Sequence, residues 1–257
     1  MRFASLGSGS RGNGLVVEAG GSRVLLDCGF GLREVELRLG RLGLEPADLH
    51  GIVVTHEHED HAGGVARLAA RHGVPVWLTY GTQRALEQGL PPGLDLRLMD
   101  SHDRFAVGNL WIEPFPVPHD AREPVQFVFT DGAVRLGVLT DVGAPTPHIR
   151  ERLTRCHALV LECNHDRAML ETGPYPPSLK RRVGGAFGHL ANDAAADILA
   201  SLDNTLLRHI VAAHLSQKNN TPALARAALA GALNCAPDWI AVADQDAGFG
   251  WLSLDGG

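Results

Sequence analysis

The chain has 257 residues, 45% of them hydrophobic and 20% charged, with a net charge of -6. That length buries a substantial core, and that balance excludes a disordered tract and a broadly basic nucleic-acid surface, leaving room only for a local basic patch. No run approaches the roughly eighteen apolar residues of a membrane helix, and Met1-Arg2-Phe3-Ala4-Ser5-Leu6-Gly7 meets serine and glycine too early for a signal peptide, so a cytoplasmic protein with no membrane partner is expected.

Residues 2–6, 14–18 and 23–27 read as strands, the last two joined through Gly20-Gly21 as a hairpin. Between the first two, Gly7-Ser8-Gly9-Ser10-Arg11-Gly12-Asn13 reads either as a plain connection or as a cradle for an anion, with Ser8, Ser10 and Asn13 as substrate contacts. Leu32, Val35, Leu39 and Leu42 recur at helical spacing and predict a helix over 32–44, ended by Pro46. Strand 51–54, helix 64–72, strand 75–79, helix 81–89 and strand 94–99 follow, an alternation that signals a sheet covered by helices. Residues 110–118 are extended, with the prolines of an edge strand. Strands 125–130 and 134–140 flank the turn Asp131-Gly132. Then come helix 147–155, strand 158–163, helices 165–171, 177–183 and 193–202, strand 210–213, helix 222–233 and a closing β pair, 239–243 with 250–254. Strands then helices, twice over, predict two similar halves packed sheet against sheet. No linker separates them, so residues 1–257 read as one domain. Cys28, Cys156, Cys163 and Cys235 lack CxxC spacing and are expected to be buried free thiols. No motif specifies an oligomeric state.

The densest chemistry lies in Val53-Val54-Thr55-His56-Glu57-His58-Glu59-Asp60-His61-Ala62-Gly63-Gly64. Imidazoles with a carboxylate suit zinc, manganese or iron rather than a thiolate site. His56 and His58, two apart, share a side, and Asp60 and His61 face the same cavity from the turn into the next helix. The bland alternative is a solvated acidic loop with incidental histidines. Three later strands also end on a potential ligand, at Val117-Pro118-His119, Leu139-Thr140-Asp141 and Ala213-His214. A sheet collects its strand ends along one edge, so His56, His58, Asp60, His61, His119, Asp141 and His214 can converge there.

This set closely resembles the metallo-β-lactamase superfamily, and the resemblance covers the whole chain. It implies an α/β fold, an αββα sandwich of two mixed β-sheets flanked by helices. It also implies two divalent metal ions, zinc or manganese, with His56, His58 and His119 on the first, Asp60, His61 and His214 on the second, and Asp141 bridging them. Shorter strings, among them Leu6-Gly7-Ser8-Gly9-Ser10-Arg11-Gly12-Asn13, Glu162-Cys163-Asn164-His165-Asp166, Gly173-Pro174-Tyr175-Pro176 and Gly188-His189-Leu190, look like the YycJ/WalJ-type branch of bacterial metal-dependent DNA exonucleases implicated in repair. One departure is Ala191, where that branch more often has serine. What the resemblance implies is a 5′ to 3′ exonuclease acting on DNA with a metal-bridging hydroxide as nucleophile. Asp60 would orient that nucleophile or take its proton, and His189 would serve the leaving oxygen. Lys180-Arg181-Arg182, the densest basic run, reads as a track for a nucleic-acid backbone or as a solvated helix face. Asp27, His165 and Asp166 are expected to fix the orientation of the ligands. The same ion pair can hydrolyse small esters, lactones or cyclic phosphodiesters, and a metal-stabilised scaffold without activity is a third class.

Overall fold

The computed structural model describes residues 1–254. Its first half runs β1 (Arg2–Gly7), β2 (Gly14–Ala19), β3 (Ser22–Leu26), α1 (Leu32–Arg41), β4 (Gly51–Val53), α2 (Glu59–Ala62), α3 (Val65–His72), β5 (Val76–Leu78), α4 (Tyr80–Leu86) and β6 (Leu96–Leu98). The second runs β7 (Phe105–Val107), β8 (Leu110–Pro116), β9 (Val125–Thr130), β10 (Arg135–Leu139), α5 (Pro147–Leu153), β11 (Ala158–Glu162), α6 (Arg167–Thr172), α7 (Pro177–Val183), α8 (Asn192–Ala200), β12 (His209–Ala213), α9 (Pro222–Leu233), β13 (Ala241–Val242) and β14 (Phe249–Ser253). The strands form two seven-stranded sheets, ordered β14-β1-β2-β3-β4-β5-β6 and β13-β12-β11-β10-β9-β8-β7.

Period-two alternation in the strands decides how the layers stack. Val24 and Leu26 of β3 and Val53 of β4 point between the sheets, where they meet Phe127 and Phe129 of β9, Val138 of β10 and Val211 of β12. Their neighbours Leu25 and Ile52 point outward onto Val35 and Leu39 of α1 and Leu68 of α3. On the other outer face Leu159, Leu161 and Ile210 meet Ile149 and Leu153 of α5, Ile198 and Leu199 of α8 and Leu229 of α9. The result is helices, sheet, sheet, helices, the expected sandwich, with each fully buried aliphatic or aromatic side chain contributing about 1.5–3 kcal/mol.

Strand direction places the site. β3, β4 and β5 are parallel, as are β10 to β13. β8 and β1 each lie two antiparallel steps from these runs, so they end at the same edge. Three local expectations are corrected. Residues 239–243 and 250–254 do not pair as strands: β13 joins β12 and β14 joins β1, so the chain crosses from one sheet to the other between them. β8 is not the edge of its sheet, because β7 covers its first residues; the proline half, Pro114 and Pro116, lies beyond the reach of β7 and pairs with β9 alone. α1 stops at Arg41 rather than near Pro46, because Gly43 turns left-handed at φ 72° and returns Leu44 N to Leu39 O at 3.1 Å.

Candidate metal centre

At the shared edge the strands stop on turned residues. Asp27 after β3, Asp141 after β10 and His214 after β12 take left-handed φ values of 59°, 53° and 54°, a region that penalises any residue with a side chain. Each turn breaks the strand and swings a polar side chain out of the apolar layer. After β4 the chain makes a single helical turn, α2, with Ala62 N donating to His58 O at 2.8 Å, and this turn brings Asp60 and His61 back beside His56. The turn sits directly on Gly29, where a Cβ would lie 1.9 Å from the Asp60 carbonyl oxygen, so only glycine fits.

The donor atoms of His56, His58, Asp60, His61, His119, Asp141 and His214 gather at this edge. The rings of His56, His58 and His119 stand 4.6, 4.9 and 5.0 Å apart in pairs and form one group able to share an ion; Asp60, His61 and His214 form another. Asp141 groups with His56 and His61 on one side and with Glu162, His189 and His214 on the other.

Hydrogen bonds behind the rings determine which nitrogens carry protons. Asp27 Oδ2 accepts from His61 Nδ1 at 2.8 Å and from Thr55 Oγ1 at 2.9 Å; Thr55 Oγ1 in turn accepts from His56 Nδ1 at 2.9 Å. A carboxylate only accepts, so both Nδ1 atoms hold hydrogen, and in the neutral rings a cation would meet, both Nε2 atoms present lone pairs. His119 Nδ1 donates to the Gly188 carbonyl at 3.0 Å, with the same consequence. His56 Nε2 is buried without a hydrogen-bond partner, and Asp141 Oδ2, equally buried and unpartnered, lies 2.9 Å from His61 Nε2. Lone pairs facing one another in a buried site call for a cation. Imidazole nitrogen with carboxylate oxygen is a donor set suited to divalent ions. The residues present therefore fit divalent metal.

The electrostatics agree. Burial pushes Asp60 up, but its bond from His214 and the nearby His61 outweigh this and hold the carboxyl down at about 2. Asp141, also raised by burial, is held well below the usual carboxylate range by His214 and His61. Burial would lower His214, yet Asp141 and the bonds to Asp60 and Glu162 push it up to about 10. The pocket thus keeps its carboxylates ionised, and a divalent cation would take the place of the proton they hold on His214.

Glu162 is the functional residue that sequence reasoning missed. It ends β11 fully buried, and its Oε1 accepts from His189 Nδ1 at 2.8 Å and His214 Nδ1 at 3.2 Å, while Oε2 accepts from the main-chain nitrogens of Val142 and Leu190 at 3.0 and 3.2 Å. It therefore orients both rings. Burial would lower His189, but Glu162 and Asp141 outweigh it and raise its pKa above the ordinary value. The signal was present: an acid closes an apolar strand, as Asp141 nearly does. Thr55 was likewise overlooked as the link between Asp27 and His56.

An open cleft of about 350 Å³ lies over the centre, lined by His58, Asp60, His189 and His214, with Ser10, Asp120, Asn164, Tyr175, Leu179, Arg182, Val183, Leu215 and Ser216 around them. Several expected substrate contacts are elsewhere. Ser8 and Asn13 are buried: Ser8 Oγ accepts from His214 N at 2.9 Å, and Asn13 Nδ2 donates to the Asp60 carbonyl at 3.2 Å and comes within 3.0 Å of His61 Nε2. With their bonding capacity committed to His214, Asp60 and His61, they brace these residues instead of cradling an anion; Ser10 alone of the three reaches the cleft. In the basic run, Lys180 Nζ donates to the Glu171 carbonyl at 2.6 Å, Arg181 is exposed away from the cleft lining, and only Arg182 lines it, with Nε donating to Asp120 Oδ2 at 2.6 Å. Asp166 is a helix cap, its Oδ1 accepting from Met169 N at 2.9 Å. His165 is buried, and its Nδ1 has no hydrogen-bond partner. Their neighbour Asn164 is the one that braces His214, through Nδ2 to its carbonyl at 3.0 Å. All four cysteines are free, and burial pushes the Cys28 thiol up to about 12 and that of Cys156 to about 11.

Residues 22–214 match the family described as the beta-lactamase superfamily domain. The chain is 36% identical over 228 residues to exodeoxyribonuclease YycJ of Bacillus anthracis, covering 88% of this chain and 86% of that one. It is 29% identical over 229 residues to exodeoxyribonuclease WalJ of Streptococcus pneumoniae, covering 88% and 85%. In fold it is similar to the metallo-β-lactamase fold protein YhfI from Bacillus subtilis, with a TM-score of 0.74 over 98% of this chain and 99% of the other at 15% identity.

Proposed function

The chain belongs to the metallo-β-lactamase superfamily, on its YycJ/WalJ branch, and from that premise we propose that this metal-dependent hydrolase is a dinuclear phosphodiesterase of DNA. We read it as a cytoplasmic 5′ to 3′ exonuclease of DNA repair, formed by residues 1–257 as one domain. The observation that carries the reading is the position of Asp141, which shares one donor group with His56 and another with His214 and so suits a carboxylate common to two ions. His56, His58 and His119 would hold one ion and Asp60, His61 and His214 the other, zinc or manganese by donor type. When bound, such a pair supplies an activated water and a clamp on the attacking and leaving oxygens of a phosphodiester.

The remaining work falls to the chain's own residues. Asp60, kept ionised by His214 and His61, orients the attacking water and takes its proton. His189, with Nδ1 held by Glu162 and its pKa raised, donates a proton to the leaving oxygen. Arg182, steadied on Asp120, offers its guanidinium to a phosphate at the cleft's rim, and Ser10 adds a hydroxyl there.

The test incubates metal-loaded protein with 5′-labelled duplex DNA, single-stranded DNA, RNA and a panel of lactones, small esters and cyclic phosphodiesters. Immediate release of labelled mononucleotide from DNA is expected. Gradual shortening of the labelled strand would reverse the polarity, and hydrolysis of a small ester, lactone or cyclic phosphodiester with none of DNA would overturn the reading.

A further inference from the structure

We propose that Tyr175 is the platform on which one terminal nucleobase stacks, so that the cleft grips a single unpaired end nucleotide at a time. This rests on the nuclease reading above and names the part of the substrate that the metal centre does not touch. Tyr175 is half-buried and lines the cleft together with Leu179 and Val183 of α7 and with Leu215. These four side chains form the apolar part of a cleft whose remaining lining is polar and charged. Leu179, Val183 and Leu215 give a phosphate no hydrogen bonds, and beside them the Tyr175 ring offers a π face that can cover any base without regard to sequence. The cleft's volume of about 350 Å³ is at the low end of the roughly 300–1,000 Å³ of small-ligand sites, which suits one nucleotide and not a stacked duplex end.

Two further features prepare this ring for stacking. Pro174 and Pro176 flank Tyr175 in the chain and restrict the backbone on both sides, so little freedom is lost when a base docks. Lys218 Nζ lies 5.9 Å from the ring centroid. It polarises the ring as a cation–π partner.

The test compares wild type, Tyr175→Ala and Tyr175→Phe on single-stranded oligonucleotides whose 5′-terminal residue is either normal or abasic. Tyr175→Ala is expected to raise KM on the normal oligonucleotide by a factor of roughly 5 to 100 with kcat little changed, and Tyr175→Phe to restore it. On the abasic oligonucleotide wild type should lose the same factor and the alanine variant nothing more. Fluorescence gives a readout independent of turnover: a 5′-terminal 2-aminopurine on a cleavage-resistant phosphorothioate strand should be quenched on binding wild type and Tyr175→Phe, and not on binding Tyr175→Ala. Equal losses on normal and abasic strands, an unchanged KM in Tyr175→Ala, or a defect that phenylalanine does not restore would each overturn the platform while leaving the nuclease standing. Wild type that cuts no oligonucleotide would overturn both.

Discussion

Asp27 and Glu162 belong to neither trio of side chains proposed to grip an ion, yet between them they orient four histidines. Asp27 holds His61 directly and His56 through Thr55, and Glu162 holds His189 and His214. Asp27→Ala should therefore release two imidazoles and weaken metal binding about 10–100-fold; competition with a chromophoric chelator measures this, and an unchanged affinity would contradict it. Thiol reactivity gives a second check. Cys28, Cys156 and Cys163 are buried with raised pKa values, whereas Cys235 is only partly covered. A thiol reagent should thus titrate one cysteine in the native protein and four after unfolding. Asp27, His56, His119, Asp141 and His214 were legible because each lies just past an apolar strand, and His58, Asp60 and His61 because they crowd within five residues of His56. Glu162 also closes an apolar run, but its partners lie 27 and 52 positions away, so no neighbouring residue told its role. The polarity of Ser8 and Asn13 was readable and their direction was not. Their loop is folded back by Gln245, whose Oε1 accepts from Arg11 N and whose Nε2 donates to the Gly12 carbonyl at 3.0 and 3.2 Å, a contact that no local pattern announces.

At the scale of the elements, β-branched runs identified most strands, but which strands pair depends on sequence-distant partners. That is why β13 and β14, neighbours in the chain, enter different sheets. Where pairing is settled, its energetics can be tested. Arg2, Glu18 and Arg23 sit opposite one another across β1, β2 and β3, with guanidinium-to-carboxylate distances of 2.9 and 2.6 Å. Burial raises the Glu18 carboxyl, and the two arginine hydrogen bonds outweigh it and hold the pKa below 4.5. A depressed carboxylate stabilises the fold above its unfolded pKa and loses that contribution as pH falls through the folded value. Glu18→Gln should thus cost about 1 kcal/mol at neutral pH, with the difference from wild type shrinking as pH drops below 4.5; denaturation midpoints at pH 7 and pH 3 test the sign. A gap that widens toward acid would contradict it. Gly29 lies under the helical turn that carries Asp60, so Gly29→Ala should reduce metal content more than it reduces stability.

For the molecule as a whole, the two sheets have one task in common, since the proposed ligands arrive from the ends of strands in both. Phe127, fully buried between the sheets, fastens them together, and Phe127→Ala should cost roughly 3–5 kcal/mol, read as a lower denaturant midpoint. The layered architecture could be read from alternation of strand and helix signals, and the convergence of ligands from strand direction. The cleft could not, because it is roofed by α7 and the segment around Tyr175, whose placement depends on contacts such as Arg182 with Asp120. The most direct test of a two-ion DNA phosphodiesterase is to strip the protein with chelator, return zinc or manganese in measured equivalents, and follow hydrolysis of 5′-labelled DNA. Activity is expected to climb to a plateau at two equivalents per chain; a plateau at one equivalent, or no hydrolysis at any ratio, would contradict the proposal.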